Sequence, residues 1–301
     1  MNLSMTGALA AAYQSGAQRA RVVTESWGES NLYCPNCSSP KLTWLEPGHP
    51  ASDYSCPKCR FWFQLKSQKS RIGDSITDGA YRAMMDAIRH DETPNFYFMQ
   101  YELATWRVKN LLLVPSFAFP PSAIIKRKPL SSTARRAGWV GCNIALNRVP
   151  AEARIDLVRT IASQGRACSP SEPRRDRDIA PYQQTIIVPP SEVREKFKRV
   201  KPLKDISVNQ RGWTLDVLNI VRRVVSEGRA LRDPNISNKS GARGTRPSDS
   251  FMTADAYAFT RELKKLHPDN RHVRDKIRQQ LQVLRDAGLL LHIGRGEWRL
   301  P

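Results

Sequence analysis

The sequence lacks the features that mark membrane proteins and secreted disulfide scaffolds. No uninterrupted apolar run in the 301 residues approaches the about 18 residues that a membrane-spanning helix needs. The first residues carry a short apolar patch without a preceding cationic segment, so we expect no signal peptide. A chain without such a peptide is not expected to meet the oxidising surroundings in which disulfide scaffolds form. These absences favour a globular protein of the cytoplasm.

Acidic residues are also scarce. Lys and Arg total 48 against 28 Asp and Glu, which gives a net charge of +20. Residues 1–120 hold 12 basic and 10 acidic residues, whereas residues 191–301 hold 24 basic and 13 acidic residues. Such an excess is typical of proteins that neutralise DNA phosphates, although a solvated basic surface without a partner is the alternative. Binding to an anionic membrane surface would instead need a basic amphipathic helix near a terminus, and the sequence shows no convincing one.

Two CxxC motifs separated by eighteen residues form the strongest motif. Each two-residue spacer lets both thiolates reach one ion, so the pattern predicts a tetrahedral Zn²⁺ site. A site closed by four thiolates has no open position and would be structural. Disulfides or redox-active CxxC motifs are the alternatives, and a cytoplasmic setting disfavours the first of them. The predicted zinc ligands are Cys34, Cys37, Cys56 and Cys59.

The residues after the second CxxC motif have the alternation of a half-buried strand. Gln64 and Lys66 then point to the same side of this strand, and Asp53 on a partner strand could face them. The pattern resembles that of PD-(D/E)xK nucleases, in which the acid holds Mg²⁺ and the lysine positions or activates the attacking water. Taken alone the pattern is weak, and a polar hairpin edge is the alternative.

The following segments fit a mixed α/β nuclease core. Residues 74–91 have helical spacing of apolar side chains, and residues 95–101 and 108–114 have the composition of core strands. The predicted fold class is therefore an α/β (α+β) PD-(D/E)xK core, a sandwich around a small mixed sheet, with the four-Cys zinc knuckle inserted.

The C-terminal segment independently predicts an α+β winged-helix domain. We expect one amphipathic helix over 254–266, capped by Thr253, then a helix with one apolar face and a hairpin wing around residues 294–296. Arg and Gln on such a helix can read base edges in the major groove; a solvated basic face is the alternative. The candidate DNA-contacting residues here are Arg274, Arg278, Gln279, Gln282, Arg285 and Arg295.

Over residues 17–150 and 212–301 the chain closely resembles the DpnI-like methyl-directed restriction endonucleases. The segments that carry this resemblance include Thr24-Glu25-x-Trp27, Tyr33-Cys34-Pro35-Asn36-Cys37, Leu65-Lys66-Ser67, Asp78-Gly79-Ala80-Tyr81, Arg135-Arg136-Ala137-Gly138-Trp139-Val140-Gly141 and Lys276-Ile277-Arg278-Gln279-Gln280-Leu281. The resemblance implies a zinc-stapled nuclease domain followed by a winged helix, with double-stranded DNA containing adenine-methylated GATC as substrate.

The resemblance also implies roles for individual residues. Asp53 matches the acid that binds Mg²⁺, and Lys66 matches the catalytic lysine. Trp139 matches the aromatic residue that contacts the adenine methyl group, with a core tryptophan as the alternative; Arg135 and Arg136 of the same segment are further DNA candidates. The structural Zn²⁺ and the catalytic Mg²⁺ are the implied cofactors.

Gln64 departs from the family pattern, which has Glu at this position. A neutral carbonyl oxygen replaces a carboxylate, but Mg²⁺ can use one carboxylate together with water and substrate phosphate. We therefore keep Asp53, Gln64 and Lys66 as the catalytic set, with Asp53 and Gln64 holding magnesium and Mn²⁺ as a possible substitute. Glu25 on a preceding helix is a further candidate carboxylate.

The expected organisation is a nuclease domain over 1–190 and a winged-helix domain over 191–301, in a chain that is monomeric in solution. Residues 164–190 and 226–250 are rich in polar residues, proline and arginine, and predict mobile loop insertions. Two further functions stay open: a catalytically impaired zinc and winged-helix regulator that binds methylated DNA, and a nuclease with a different modified-base specificity.

Overall fold

The computed structural model describes residues 1–46, 52–162, 183–230 and 249–301. Short 3-10 turns aside, the helices are α1 (Gly16–Asn31), α2 (Tyr81–Arg89), α3 (Pro190–Val200), α4 (Val208–Ala230), α5 (Thr253–Tyr257), α6 (Thr260–Leu266) and α7 (Val273–Asp286). The strands are β1 (Thr43–Trp44), β2 (Tyr54–Ser55), β3 (Trp62–Gln68), β4 (Ser75–Ala80), β5 (Asn95–Glu102), β6 (Arg107–Val114), β7 (Ile124–Lys126), β8 (Gly141–Ala145), β9 (Ile155–Ala162), β10 (Gln183–Ile187), β11 (Ser250–Met252), β12 (Leu291–Gly294) and β13 (Glu297–Arg299). Within these ranges no helix is long and apolar enough to cross a membrane.

The chain forms two compact units, each made of segments that are not contiguous in sequence. The first unit comprises Met1–Ile72, Pro94–Val114 and Arg154–Phe197. The second comprises Gly73–Thr93, Pro115–Ala153 and Lys198–Pro301. The boundary predicted between residues 190 and 191 refers to contiguous sequence segments and stays a prediction.

The first unit is built on a seven-stranded sheet of order β1-β2-β3-β5-β6-β9-β10. The pair β3–β5 is parallel, with Gln64 opposite Phe96 and Lys66 opposite Phe98, and the other neighbours are antiparallel. Most side chains of β5 are buried, which is typical of a central strand covered on both faces. This confirms the strands predicted at 95–101 and 108–114.

The helix predicted over 74–91 is wrong in its first half. Residues 75–80 form β4, which pairs with β8 so that Ile76 lies opposite Ile144, and both side chains are buried. The helix begins only at Tyr81. The antiparallel ladder pairs residues 75–77 and Ala80 with β8, and this tertiary pairing outweighs the helical spacing of the apolar residues that follow.

The second unit combines two three-stranded sheets with the long helix α4. One sheet has the order β4-β8-β7 and the other the order β11-β13-β12. Arg211 on α4 is buried and binds the carboxylate of Asp91 at 2.5 Å. Further along α4, Arg223 binds Glu262 of α6 at 2.7 Å, so residues outside both sheets are attached to this helix by ion pairs.

The C-terminal residues have the arrangement of helices and a hairpin that the sequence predicts, with two corrections. The helix expected over 254–266 is divided into α5 and α6. Thr253 does not cap it: the Thr253 hydroxyl donates to the Gly296 carbonyl at 3.1 Å and accepts from the Trp298 indole at 2.8 Å. These two bonds join the start of α5 to the wing, which sequence periodicity cannot reveal because they connect residues more than forty positions apart.

The two predicted loop insertions are partly regular structure. Within 164–190, residues 183–187 form β10, which pairs with β9; within 226–250, α4 continues to Ala230 and β11 begins at Ser250. The remainder of these predictions, residues 163–182 and 231–248, lies outside the described residues. The two strands gain their hydrogen bonds from strands outside the predicted insertions, β9 for β10 and β13 for β11.

Candidate functional site

Two sites in the first unit are built around the same hairpin, and the first is a cluster of four thiols. The four predicted zinc ligands lie with their sulfur atoms all within 4.8 Å of one another. The Cys34–Cys59 and Cys37–Cys56 sulfur pairs are each 3.5 Å apart. Tetrahedral coordination with Zn–S bonds of about 2.3 Å requires sulfur separations of about 3.8 Å. The donor set and its geometry fit one structural Zn²⁺, and none of these cysteines forms a disulfide.

Residues around the cluster fix its backbone. Arg194 of α3 donates from Nε to the carbonyls of Cys34 and Cys37 at 3.2 and 2.8 Å, and from Nη2 to that of Ser39 at 3.3 Å. Its guanidinium lies 5.2 Å from the centre of the Tyr33 ring. One side chain therefore holds the turn that presents the first two thiols, as outer contacts commonly do around zinc.

Ionisation of the thiols is uneven in the absence of metal. Burial raises the pKa of Cys34. Burial also opposes ionisation of Cys56, yet hydrogen bonds from the Cys59 and Lys58 amides lower its pKa to about 7. Zinc requires all four thiolates, so its binding must release protons.

The second site follows directly along the hairpin. Asp53 lies on the strand-like segment before β2, where its amide donates to the Phe63 carbonyl at 2.9 Å. Its carboxylate accepts from the Leu65 amide at 2.8 Å. Asp53 is thus bound to the residues on both sides of Gln64. In β3, Phe63 and Leu65 are buried while Gln64 and Lys66 alternate with them and are partly exposed.

Helix α1 is held against this hairpin by polar contacts. Thr24 and Ser67 hydroxyls are 3.1 Å apart, and the Tyr54 hydroxyl donates to the backbone carbonyl of Glu25 at 2.8 Å. A Cβ at Gly28 would clash with the Tyr54 ring, so glycine permits this close approach. The Glu25 carboxylate forms an ion pair with Arg21 at 2.7 Å.

The charges of α1 and β3 influence each other. Burial raises the pKa of Asp53, while the Leu65 amide and the charges of Lys66 and Arg21 oppose this effect. Burial likewise raises the pKa of Glu25; Arg21 opposes this, and the charge of Asp53 reinforces it. The folded state therefore binds the protons of the Asp53 and Glu25 carboxyl groups more tightly than the unfolded state does. The protonated carboxyl groups favour folding at low pH, and this stabilisation is lost as the pH rises from the unfolded-state pKa through the raised folded-state pKa.

The oxygen atoms of this site fit a hard cation. Asp53 offers a carboxylate, Gln64 an amide carbonyl, and Glu25 lies close enough to Asp53 for its charge to be affected. Mg²⁺ commonly takes one or two carboxylates and completes its shell with water and phosphate oxygens. The ammonium of Lys66 lies 5.9 Å from the centre of the Phe96 ring, which helps to hold it beside the strand.

Trp139 lies in the second unit, at a cavity of about 440 Å³. The indole is partly exposed and covers Gly141, where a Cβ would lie only 2.8 Å from the ring. This exposure argues against a tryptophan that is purely core. Arg135 and Arg136 are exposed on the same loop but do not line the cavity. The residues that do are Ala80, Tyr81, Arg82, Met85, Arg89, Lys126, Trp139 and Val140.

The predicted recognition helix has the expected two faces. Val273, Ile277, Leu281 and Leu284 of α7 are buried. The DNA candidates Arg274, Arg278, Gln279, Gln282 and Arg285 are all exposed, and Arg295 is exposed in the wing. Four of the candidates have intramolecular partners: Arg274 lies over the Tyr257 ring, Arg278 binds Asp275, Gln279 accepts from Lys276 and Arg285 binds Asp286. The arrangement presents a basic surface. Because exposed ion pairs contribute little free energy, its arginines can leave their carboxylates and bind DNA phosphates at little cost.

Sequence reasoning missed three side chains near these sites. Tyr81 and Lys126 line the cavity of Trp139, with the Lys126 ammonium 5.6 Å from the centre of the Tyr81 ring. The resemblance includes Tyr81, so the segment around it was a usable signal. Arg194 had no such signal, because it contacts the first CxxC motif from a position about 160 residues later.

Comparison with known families gives two matches. A family model described as DpnI: Dam-replacing family matches residues 1–167. A second, described as Dam-replacing HTH domain, matches residues 246–300. The first covers more than half of the chain, and the second indicates a DNA-binding domain over the segment that contains α7 and the wing.

Proposed function

Because the chain belongs to the DpnI, Dam-replacing family, we propose that it is a methylation-dependent restriction endonuclease. It cleaves double-stranded DNA at adenine-methylated GATC sites by metal-assisted hydrolysis of the phosphodiester bond. In this proposal the first unit has a PD-(D/E)xK core and the second unit reads the methylated sequence. The monomeric state and the cytoplasmic location stay predictions.

The observation that carries the proposal is the attachment of Asp53 to both neighbours of Gln64. The bond from Leu65 fixes the Asp53 carboxylate next to β3, on which Gln64 and Lys66 share one face. One acid, one amide oxygen and one amine therefore lie at a single strand. That combination suits hydrolysis of an anionic ester, which needs an oxygen site for a cation and a positive group near the attacked phosphate.

Each residue has a distinct part in the proposed reaction. Asp53 and Gln64 would hold Mg²⁺, which when bound stabilises negative charge developing on the phosphate oxygens. Lys66 positions the attacking water beside the scissile phosphate. Arg21 keeps Glu25 in place, so that this carboxylate could accept a hydrogen bond from the attacking water or serve as a further ligand of Mg²⁺.

The methyl group would be read in the second unit. A methylated adenine entering the cavity of Trp139 would bring its methyl carbon against the indole, an apolar contact worth about 1 kcal/mol. The cations Lys126, Arg82 and Arg89 line the same cavity and would bind the backbone phosphates on either side of the nucleotide whose base enters it. The exposed face of α7 would add major-groove contacts.

Digestion of methylated and unmethylated plasmid in Mg²⁺ and in Mn²⁺ tests the function. We expect cleavage of the methylated plasmid only. Replacing Asp53 by Asn should reduce the rate at least about 100-fold, because the site loses its anionic ligand. The matched control is Asp74→Asn, which makes the same change at an exposed residue outside the site. Equal losses in both variants would contradict the assignment of Asp53.

Gln64 provides the test that separates the nuclease from a non-cleaving regulator. If Gln64 limits metal affinity, Gln64→Glu should strengthen Mn²⁺ binding, measured by calorimetry, and raise the rate in Mg²⁺. Metal binding should be lost on acidification at a pH above the ordinary pKa of an aspartate, since burial raises the pKa of Asp53. Methylated DNA that is bound but left uncut by both wild type and Gln64→Glu would instead support the regulator. Cleavage restricted to DNA with other modified bases would support a nuclease with a different modified-base specificity.

A further inference from the structure

A second cavity in the first unit lies beside the proposed nuclease site. It has a volume of about 800 Å³, within the range of pockets that hold small ligands. The end of β3 forms one wall and the first turns of α1 another, so the cavity is bounded by the two elements that carry Lys66 and Glu25. Its lining residues are Ala10, Gly16, Ala17, Arg19, Ala20, Gln68, Lys69, Ser70, Tyr101, Leu103 and Trp106.

The charge of this lining is positive. Arg19 and Lys69 contribute cations, Gln68 and Ser70 contribute neutral polar groups, and none of the described residues that line the cavity is acidic. Lys69 is exposed and, within the ranges that the structure describes, has no ion pair. An adjoining cavity of about 550 Å³ shares Lys69 and adds Arg71, together with Lys109 and the acidic Glu102, which pair at 3.7 Å. A polyanion is the ligand that this surface would attract.

The cavity is a fixed part of the structure. The Gln68 side chain donates to the carbonyls of Ser70 and Arg71 at 3.3 and 2.9 Å, which closes the turn that presents Lys69. On the opposite wall the Tyr101 and Trp106 rings are stacked with centroids 5.5 Å apart. The Trp106 indole also covers Gly7, where a Cβ would clash with the ring. These contacts join the lining residues to one another and shape the walls of the cavity.

The distance from the nuclease site identifies the part of the substrate that could reach the cavity. Lys69 follows Lys66 by three residues and lies just beyond the end of β3, so their Cα atoms are at most about 10 Å apart. A DNA strand rises about 3.4 Å per nucleotide along the duplex axis, and its backbone path between phosphates is longer, so this span corresponds to about one to three nucleotides. A strand with its scissile phosphate at Lys66 would thus bring a flanking phosphate to Lys69.

We propose that this cavity is a binding subsite for a DNA backbone phosphate about one to three nucleotides from the scissile bond, with Lys69 and Arg19 as its cations. The subsite rests on the proposed function, since it assumes that DNA lies along β3. It adds a contact that positions the strand and carries no sequence information. Lys69 acts here as a positioning residue for the substrate.

The test combines variants of the full chain with DNA duplexes that carry one neutral methylphosphonate. Binding to a methylated duplex is measured in Ca²⁺ by fluorescence anisotropy, with the methylphosphonate moved stepwise along both flanks. We expect Lys69→Ala to weaken binding about three- to tenfold and to lower the slope of log K against log salt by about 1. Lys69→Arg should restore the affinity, and Lys41→Ala, which removes an exposed lysine outside the cavity, serves as the matched control.

The decisive result is coupling at one phosphate. A methylphosphonate at one position about one to three nucleotides from the cut should weaken DNA binding by wild type but have little further effect on binding by Lys69→Ala. The subsite would be overturned if no methylphosphonate position affected wild type and Lys69→Ala differently. Equal DNA affinities of Lys69→Ala and Lys41→Ala would overturn it as well. Plasmid cleavage by wild type is measured in parallel: failure to cut counts against the proposed function, whereas cutting without coupling at Lys69 counts only against the subsite. No duplex binding by wild type would overturn both.

Discussion

The two units hold their site-bearing segments by different interactions. In the first unit, four thiols converge on a metal position, and Arg194 binds three backbone carbonyls of the adjoining turn. In the second unit, arginines of α4 bind carboxylates: Arg211 binds Asp91, Arg222 binds Glu152 and Arg223 binds Glu262. With zinc bound, the first unit would depend on a ligand that the chain does not make, whereas the second depends on its own charges. Zinc concentration should affect only one of them by mass action.

Removal of zinc should produce the largest difference between the units. Structural zinc sites contribute about 10–16 kcal/mol in small domains, so Cys34→Ser should lower the melting temperature by about 10 °C or more. Hydrogen exchange should accelerate in β2, β3 and α3 and change far less in α7, which contains no zinc ligand. Metal analysis should give one zinc per wild-type chain. Equal acceleration in both units would contradict the comparison.

A smaller effect is expected at Arg211, the buried cation of the second unit. Its guanidinium binds Asp91 and also donates to the Lys204 and Ile206 carbonyls at 2.9 Å each. Arg211→Met leaves these acceptors without a donor and should reduce the free energy of unfolding by about 2–4 kcal/mol. Zinc content should stay unchanged. Arg261→Met, at an exposed arginine of α6 without such bonds, should cost less than about 0.5 kcal/mol in the same denaturation experiment.

The smallest effect is expected at Arg194, whose acceptors are neutral backbone carbonyls and not a carboxylate. Arg194→Ala should weaken zinc binding about tenfold, as loss of an outer contact commonly does, with about 1–2 kcal/mol lost in stability. Arg194→Lys should recover only part of this, because an ammonium cannot reproduce the planar fork of a guanidinium. Competition with a chromophoric chelator measures the affinity. Unchanged zinc affinity in Arg194→Ala would show that the turn holds its shape without this side chain.

Local patterns predicted the parts of the molecule that local spacing determines. The CxxC spacing gave the four thiols that the structure brings together, and the alternation around Gln64 gave the two faces of β3. The 3.6-residue period gave the buried face of α7. The placement of Asp53 next to Gln64 needed the hairpin geometry and the resemblance together, and the catalytic roles of both residues stay predictions.

The remaining features depend on contacts between distant segments. β4 competes with a helix over the same residues, and only its pairing with β8 decides the outcome. Arg194 contacts the first CxxC motif from far along the chain, and the cavity at Lys69 needs the N-terminal residues, α1 and the β5–β6 hairpin to meet. No window of sequence contains these partners together, so composition and periodicity give no sign of them.

The parallel pairing of β3 with β5 has a consequence for how the protein is made. A ribosome releases β3 first, then Gly73–Thr93, which belongs to the second unit, and only then β5. The strand with Gln64 and Lys66 therefore waits, with one edge exposed, for a neighbour that is synthesised after part of the other unit. The chain passes between the units five times. Splitting the gene at a single codon therefore cannot give two fragments that each encode one intact unit.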